Sequence, residues 1–143
     1  MRLFRELDVR TQESEMSFSV SCARCNLEYS GVGLWRQPRA FARPGFAGLV
    51  REILRFLRTG HRALDPAHRR TTLGAFVDAE GYSRAFRDHY LVPFTSALWS
   101  TAPAESLGFP ASYAVRFFQN HGLLGFRRHP WRTVVGGSRR YVE

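Results

Sequence analysis

Apolar residues recur along this chain at spacings that separate helices from strands before any other property is considered. Phe86, Tyr90, Pro93, Phe94 and Ala97 follow one another at three- and four-residue steps. That period places them on one stripe of a helix, with Arg84, Asp88 and Thr95 facing elsewhere. Ser83 is the expected cap of this central helix, and Pro93, which removes a backbone bond, should kink or divide it. A second helix is expected from Pro110, where the ring-locked φ suits the first helical position. Tyr113, Ala114, Phe117 and Phe118 give it an apolar face, and Gly122 closes it in the left-handed region. The cleanest helical period runs from Gly45 to Gly60, with Phe46, Leu49, Val50, Ile53 and Leu57 on one face. Arg51, Arg55, Arg58 and Arg62 fall in a stripe opposite. Thr71 or Thr72 caps a short helix through Val77, and Gly81 breaks it.

Strand periodicity appears nearer the N-terminus. Met16, Phe18, Val20 and Cys22 alternate with Ser17, Ser19 and Ser21, the period-two pattern of a half-buried strand. Leu27, Glu28 and Tyr29 return antiparallel across the turn from Ala23 to Asn26, giving a β-hairpin. Leu3 to Leu7 reads as the end of a helix, followed by a short strand around Asp8 to Thr11. Arg36 to Arg43 reads as an irregular connection, His61 to Arg70 as a polar linker, and Thr101 to Pro103 as the start of a helical turn ending before Gly108. Gly125 to Pro130 is a basic loop. Trp131 to Val135 is a strand, Gly136-Gly137 a turn, and Arg139 to Val142 the first turn of a helix. The expected fold class is therefore α+β, a mainly helical domain with a β-hairpin; a last helix cut short at Glu143 reads as a fragment.

A chain of 143 residues has room for one sizeable core, and 44% hydrophobic content argues against disorder. The net charge of +9 comes from arginine alone, since the 21 basic residues include no lysine. Such an excess invites a nucleic-acid or anionic-membrane reading centred on the Arg51, Arg55, Arg58, Arg62 stripe. Its uniform use of Arg reads instead as a coding bias, and the remaining arginines are scattered, so nucleic acid is not the expected partner. No apolar run approaches a membrane span and Met1 to Arg10 lacks a signal-peptide core; the expected location is the cytoplasm.

Chemistry is sparse. Cys22 and Cys25 have CxxC spacing, yet a structural zinc site calls for four ligands and there is no second cysteine pair. A thioredoxin-like pair opens a helix after a strand, whereas this one lies in a hairpin. The two are expected to be reduced thiols unrelated to each other, and no metal is expected. Asp88 and His89 could join a serine in a triad, but no GxSxG elbow presents a nucleophile. Neither GxGxxG nor GxxxxGK[ST] is present to cradle a phosphate. His121 is expected to be hydrogen-bonded at a helix end.

Six blocks nevertheless carry a resemblance: MSFSV at Met16 to Val20, LEYSG at Leu27 to Gly31, ILRF at Ile53 to Phe56, YLVPFTSALWS at Tyr90 to Ser100, FFQNHGLL at Phe117 to Leu124, and WRTVVGGSRRYVE at Trp131 to Glu143. In this order they resemble the amine-oxidase-like FAD-dependent oxidoreductases, more narrowly the bacterial proteins called predicted NAD/FAD-binding proteins. The resemblance spans the chain from about Phe4. It implies a two-domain flavoprotein in which a substrate or cap domain is inserted into a Rossmann FAD domain, this chain being the cap and its return. It also implies an apolar pocket for a small, lipid-like substrate, with Met16, Phe18, Trp99, Asn120, His121 and Trp131 as candidates and Gly136 and Gly137 at the junction with the flavin domain. The glycine-rich FAD fingerprint is absent from this sequence, and Asp8 stands where a glycine is expected. The isolated chain is therefore expected to be inactive, and no catalytic residue is assigned.

Overall fold

The computed structural model describes residues 2–15, 17–31, 37–124, 131–137 and 139. The chain divides into two compact units: residues 1–17 with 129–143, and residues 18–128. The fold is α+β, as the periodicities predict. In the first unit, helix α1 (Arg2–Glu6) leads into strand β1 (Thr11–Ser14), which lies further along than the expected strand at Asp8 to Thr11. Asp8 itself adopts φ 52°, a left-handed turn that delays the strand. Strand β4 (Trp131–Val134) pairs antiparallel with β1, Thr11 opposite Val134 through Ser14 opposite Trp131. Gly136 and Gly137 then turn the chain with φ of 80° and 83°, values that glycine adopts without steric cost.

The second unit begins with a hairpin, strands β2 (Ser19–Cys22) and β3 (Leu27–Ser30). Val20 lies opposite Tyr29 and Cys22 opposite Leu27, so alternation buries Val20, Leu27 and Tyr29 on one face. The connection after it is less irregular than expected: Pro38 supplies the first position of a short helix, α2 (Pro38–Phe41). Helix α3 (Phe46–Thr59) buries Phe46, Leu49, Val50, Ile53 and Phe56. In the expected polar linker, Asp65 Oδ1 accepts from the Ala67 N–H at 2.9 Å and caps a short 3-10 turn. Helix α4 (Leu73–Ala79) is capped by Thr72, whose hydroxyl accepts from Ala75 N–H at 3.2 Å.

The central helix is divided. Helix α5 (Arg84–Phe86) is capped by Ser83, a wider π turn occupies Arg87–Leu91, and helix α6 (Val92–Trp99) follows with Pro93 in its first turn. The extra residue in the π turn shifts the phase of everything beyond it. Thr95, predicted to face outward, is fully buried, while Ala97 is exposed. Its hydroxyl donates to the Leu91 carbonyl at 2.7 Å, so the buried polar group is satisfied.

Helix α7 (Ala111–Asn120) starts after Pro110, which sits one position before the helix rather than in it. At its end the Gly122 N–H reaches the Gln119 carbonyl at 3.0 Å and the Leu123 N–H the Phe118 carbonyl at 2.7 Å, with Gly122 at φ 64°. These are the paired bonds of a Schellman cap. The buried face is Ala111, Ala114, Val115 and Phe118; Tyr113, predicted to be inward, is exposed. Phe56 anchors the core between Tyr82, Phe86 and Phe118, with ring centroids 5.5 to 6.3 Å away.

Candidate functional site

The π turn places His89. In a regular α-helix the carbonyl of residue 89 would accept from the N–H of residue 93, which proline lacks. The Tyr29 hydroxyl donates to that carbonyl instead, at 2.6 Å. One proline thus creates an orphan acceptor, and a strand residue of the hairpin satisfies it, which docks β3 on the π turn. π turns inside α-helices recur at functional sites.

That docking brings the hairpin turn to the imidazole. His89 Nε2 lies 3.7 Å from Cys25 Sγ, and the donor atoms of Cys22, Cys25 and His89 all lie within 4.8 Å of one another. His89 and Cys22 are half-buried and Cys25 is exposed; neither cysteine is in a disulfide. Asn26 at φ 50° closes the turn, as Asn can in the left-handed region. The hydrogen bond from the Cys25 thiol, helped by the Cys25 backbone N–H, holds Cys22 below the ordinary thiol range. The same thiol contact, with burial next, pushes Cys25 above it. The expectation of two unrelated thiols is corrected by the geometry: the Cys25 thiol donates to the Cys22 carbonyl at 3.9 Å, and both sulfurs lie beside the same histidine. CxxC in a hairpin turn was visible in the sequence; what brings up the third residue is the hydrogen bond from the Tyr29 hydroxyl to the His89 carbonyl, which no linear spacing encodes.

The other predicted residues fall in three places. Phe18 packs edge-on against Phe94 at 5.2 Å, Phe94 meets Phe118 at 5.3 Å, and Phe118 stacks on Trp99 at 5.9 Å. Trp99 in turn meets Phe117 at 5.5 Å, and Phe117 stacks on His121 at 3.9 Å. Phe18, Trp99 and His121 thus lie on one continuous run of rings. His121 Nδ1 is 2.8 Å from the Phe117 carbonyl, the helix-end hydrogen bond expected of it. Asn120 is exposed at the end of α7 and makes no part of that run. Trp131, half-buried, and the exposed Gly136 and Gly137 belong to the first unit. Met16 lies outside the described residues, as do the basic loop from Gly125 to Pro130 and Tyr141.

Sequence reasoning missed a cluster at the end of α6. Ser96 Oγ, Trp99 Nε1 and Thr101 Oγ1, close together in sequence, are buried and find no hydrogen-bond partner among the described residues. Such groups are uncommon in folded proteins and point to a ligand or water that completes them. A shallow groove of about 480 Å³ runs along α3 instead, lined by Phe41, Val50, Leu54 and the stems of Arg51, Arg55 and Arg58. In the arginine stripe, Arg55 stacks over the Tyr82 ring at 3.8 Å and Arg62 pairs with Glu80 at 3.3 Å. Among the described residues no helix is long and apolar enough to cross a membrane. Comparison of the chain with protein-family models and with curated proteins finds no match.

Proposed function

We propose that this chain forms the substrate-side region of an FAD-dependent, amine-oxidase-like oxidoreductase that acts in the cytoplasm on a small, lipid-like molecule. The observation that carries the reading is the pairing of β1 with β4. Residues 18–128 leave one strand of a pair and come back as the other, which is the connectivity of a region inserted into a separate structural unit. The six ordered sequence blocks lead to the same arrangement. The aromatic run from Phe18 to His121 supplies apolar surface that excludes water, and Trp99 Nε1, Ser96 Oγ and Thr101 Oγ1, without partners among the described residues, supply the few polar contacts that would orient a substrate.

The residues present do not fit FAD itself. Gly136 and Gly137 turn the chain, but among the described residues an added Cβ at Gly137 would meet no atom within 4 Å, so these residues form no close cradle around it. The sequence contains no glycine-rich phosphate fingerprint. The flavin would be held by other parts of the protein, and its redox chemistry is its own.

The test is to purify the protein from its native gene and look for the visible absorbance of oxidised flavin. Bound FAD that candidate amines or unsaturated lipids reduce anaerobically, more weakly in a Trp99→Phe variant, is the expected result. A colourless protein that takes up no added FAD overturns the reading.

A further inference from the structure

We propose that Cys22, Cys25 and His89 form a binding site for a thiophilic divalent metal ion, zinc being the natural candidate, with a fourth position open to water or another donor. Two sulfurs and one imidazole nitrogen select zinc-like ions over magnesium or calcium, which require oxygen ligands. A tetrahedral zinc with Zn–S near ~2.3 Å and Zn–N near ~2.0–2.1 Å separates a sulfur from a nitrogen ligand by roughly 3.6 Å. Cys25 Sγ and His89 Nε2 stand 3.7 Å apart, and the whole set fits within 4.8 Å.

The site is built rather than incidental. Its cysteines sit at the end of a strand pair whose inner face, Val20, Leu27 and Tyr29, is buried. Its histidine sits in a π turn, and the Tyr29 hydroxyl on the His89 carbonyl ties the two supports together. The absence of a second cysteine pair argues against a closed four-ligand structural site, but not against three protein ligands with one coordination position left open. Binding would release the thiol protons and staple the hairpin to a helical segment 64 residues away, so the ion should favour the folded chain.

The alternative use of this pair is redox, a Cys22–Cys25 disulfide, which needs no histidine. Cobalt separates the two. The full chain, reduced and treated with chelator, is titrated with Co²⁺ and read by absorbance. We expect one ion per chain, the visible bands of tetrahedral cobalt, a thiolate-to-cobalt charge-transfer band, displacement by Zn²⁺, and a rise in thermal midpoint. Loss of a mere supporting residue around a metal lowers affinity ~10–100-fold, so Cys25→Ser and His89→Gln should each weaken binding by at least about tenfold. His89→Gln keeps the backbone carbonyl that holds Tyr29, and circular dichroism checks that it folds. Absence of the charge-transfer band in the unaltered chain would overturn the proposal. Unchanged affinity in His89→Gln would do so too, as would a Cys22–Cys25 disulfide that forms in air at saturating zinc.

Discussion

Among the described residues there are two antiparallel strand pairs of equal length, and they are specified in opposite ways. β2 and β3 are joined by a four-residue turn, bury Val20, Leu27 and Tyr29, and present cysteines to a histidine. β1 and β4 come from distant parts of the chain, and their central residues Gln12, Glu13, Arg132 and Thr133 are exposed. Their register is held by ladder bonds and by Arg132, whose guanidinium donates to the Thr11 hydroxyl at 2.9 Å and to the Thr11 carbonyl at 2.8 Å. Burial specifies the first pair; polar contacts specify the second. A buried hydrophobic face fixes register strongly because a one-residue slip turns every side chain to the wrong side.

This contrast is open to measurement, and the largest effect should come from the core beneath β2–β3. Phe46 is 2% exposed and contacts Tyr29 at 5.5 Å and Phe41 at 5.1 Å. Phe46→Ala should cost about 3–5 kcal/mol in urea unfolding, with the amides of Val20 and Leu27 losing exchange protection. A loss under ~1 kcal/mol would mean that the hairpin does not lean on the core.

Tyr29→Phe removes only a hydroxyl but leaves the His89 carbonyl without that donor, a loss of about 1–3 kcal/mol. The same residue gives a pH dependence. Burial pushes the phenols of Tyr29 and Tyr90 well above the ordinary tyrosine value, helped at Tyr29 by Tyr90. A raised folded value means that the contribution is fully present below the unfolded value of about 10 and is lost as pH rises from there. Urea midpoints should therefore fall on the alkaline side, and less steeply in Tyr29→Phe. An identical alkaline slope in the variant would remove Tyr29 from the account.

Smaller effects are expected where β4 ends. Gly137→Ala meets no neighbouring atom among the described residues, so its expected cost is that of the left-handed backbone, about 1–2 kcal/mol by thermal unfolding. Arg132→Ala removes exposed hydrogen bonds and should cost about 0.5 kcal/mol. A cost of Arg132→Ala equal to that of Phe46→Ala would erase the distinction between the two pairs.

What the sequence determined was local. The period of α3, the caps at Thr72 and Ser83, the closure at Gly122 and the β2–β3 hairpin all follow from side chains acting within a few residues, where spacing and geometry are the same thing. Pro93 announced a disturbed helix but not its form. The fold resolves the missing N–H with a π turn, whose extra residue rotates the later stripe and buries Thr95 in place of Ala97. Only the tertiary structure decided three further things: that Tyr29 answers the His89 carbonyl, that Cys22 and Cys25 meet the imidazole, and that β1 finds β4. Each depends on groups 60 to 121 residues apart. Periodicity says which face of an element is buried; it carries no information about which distant element covers it, because that choice is made by packing and by the need to satisfy every buried polar group at once.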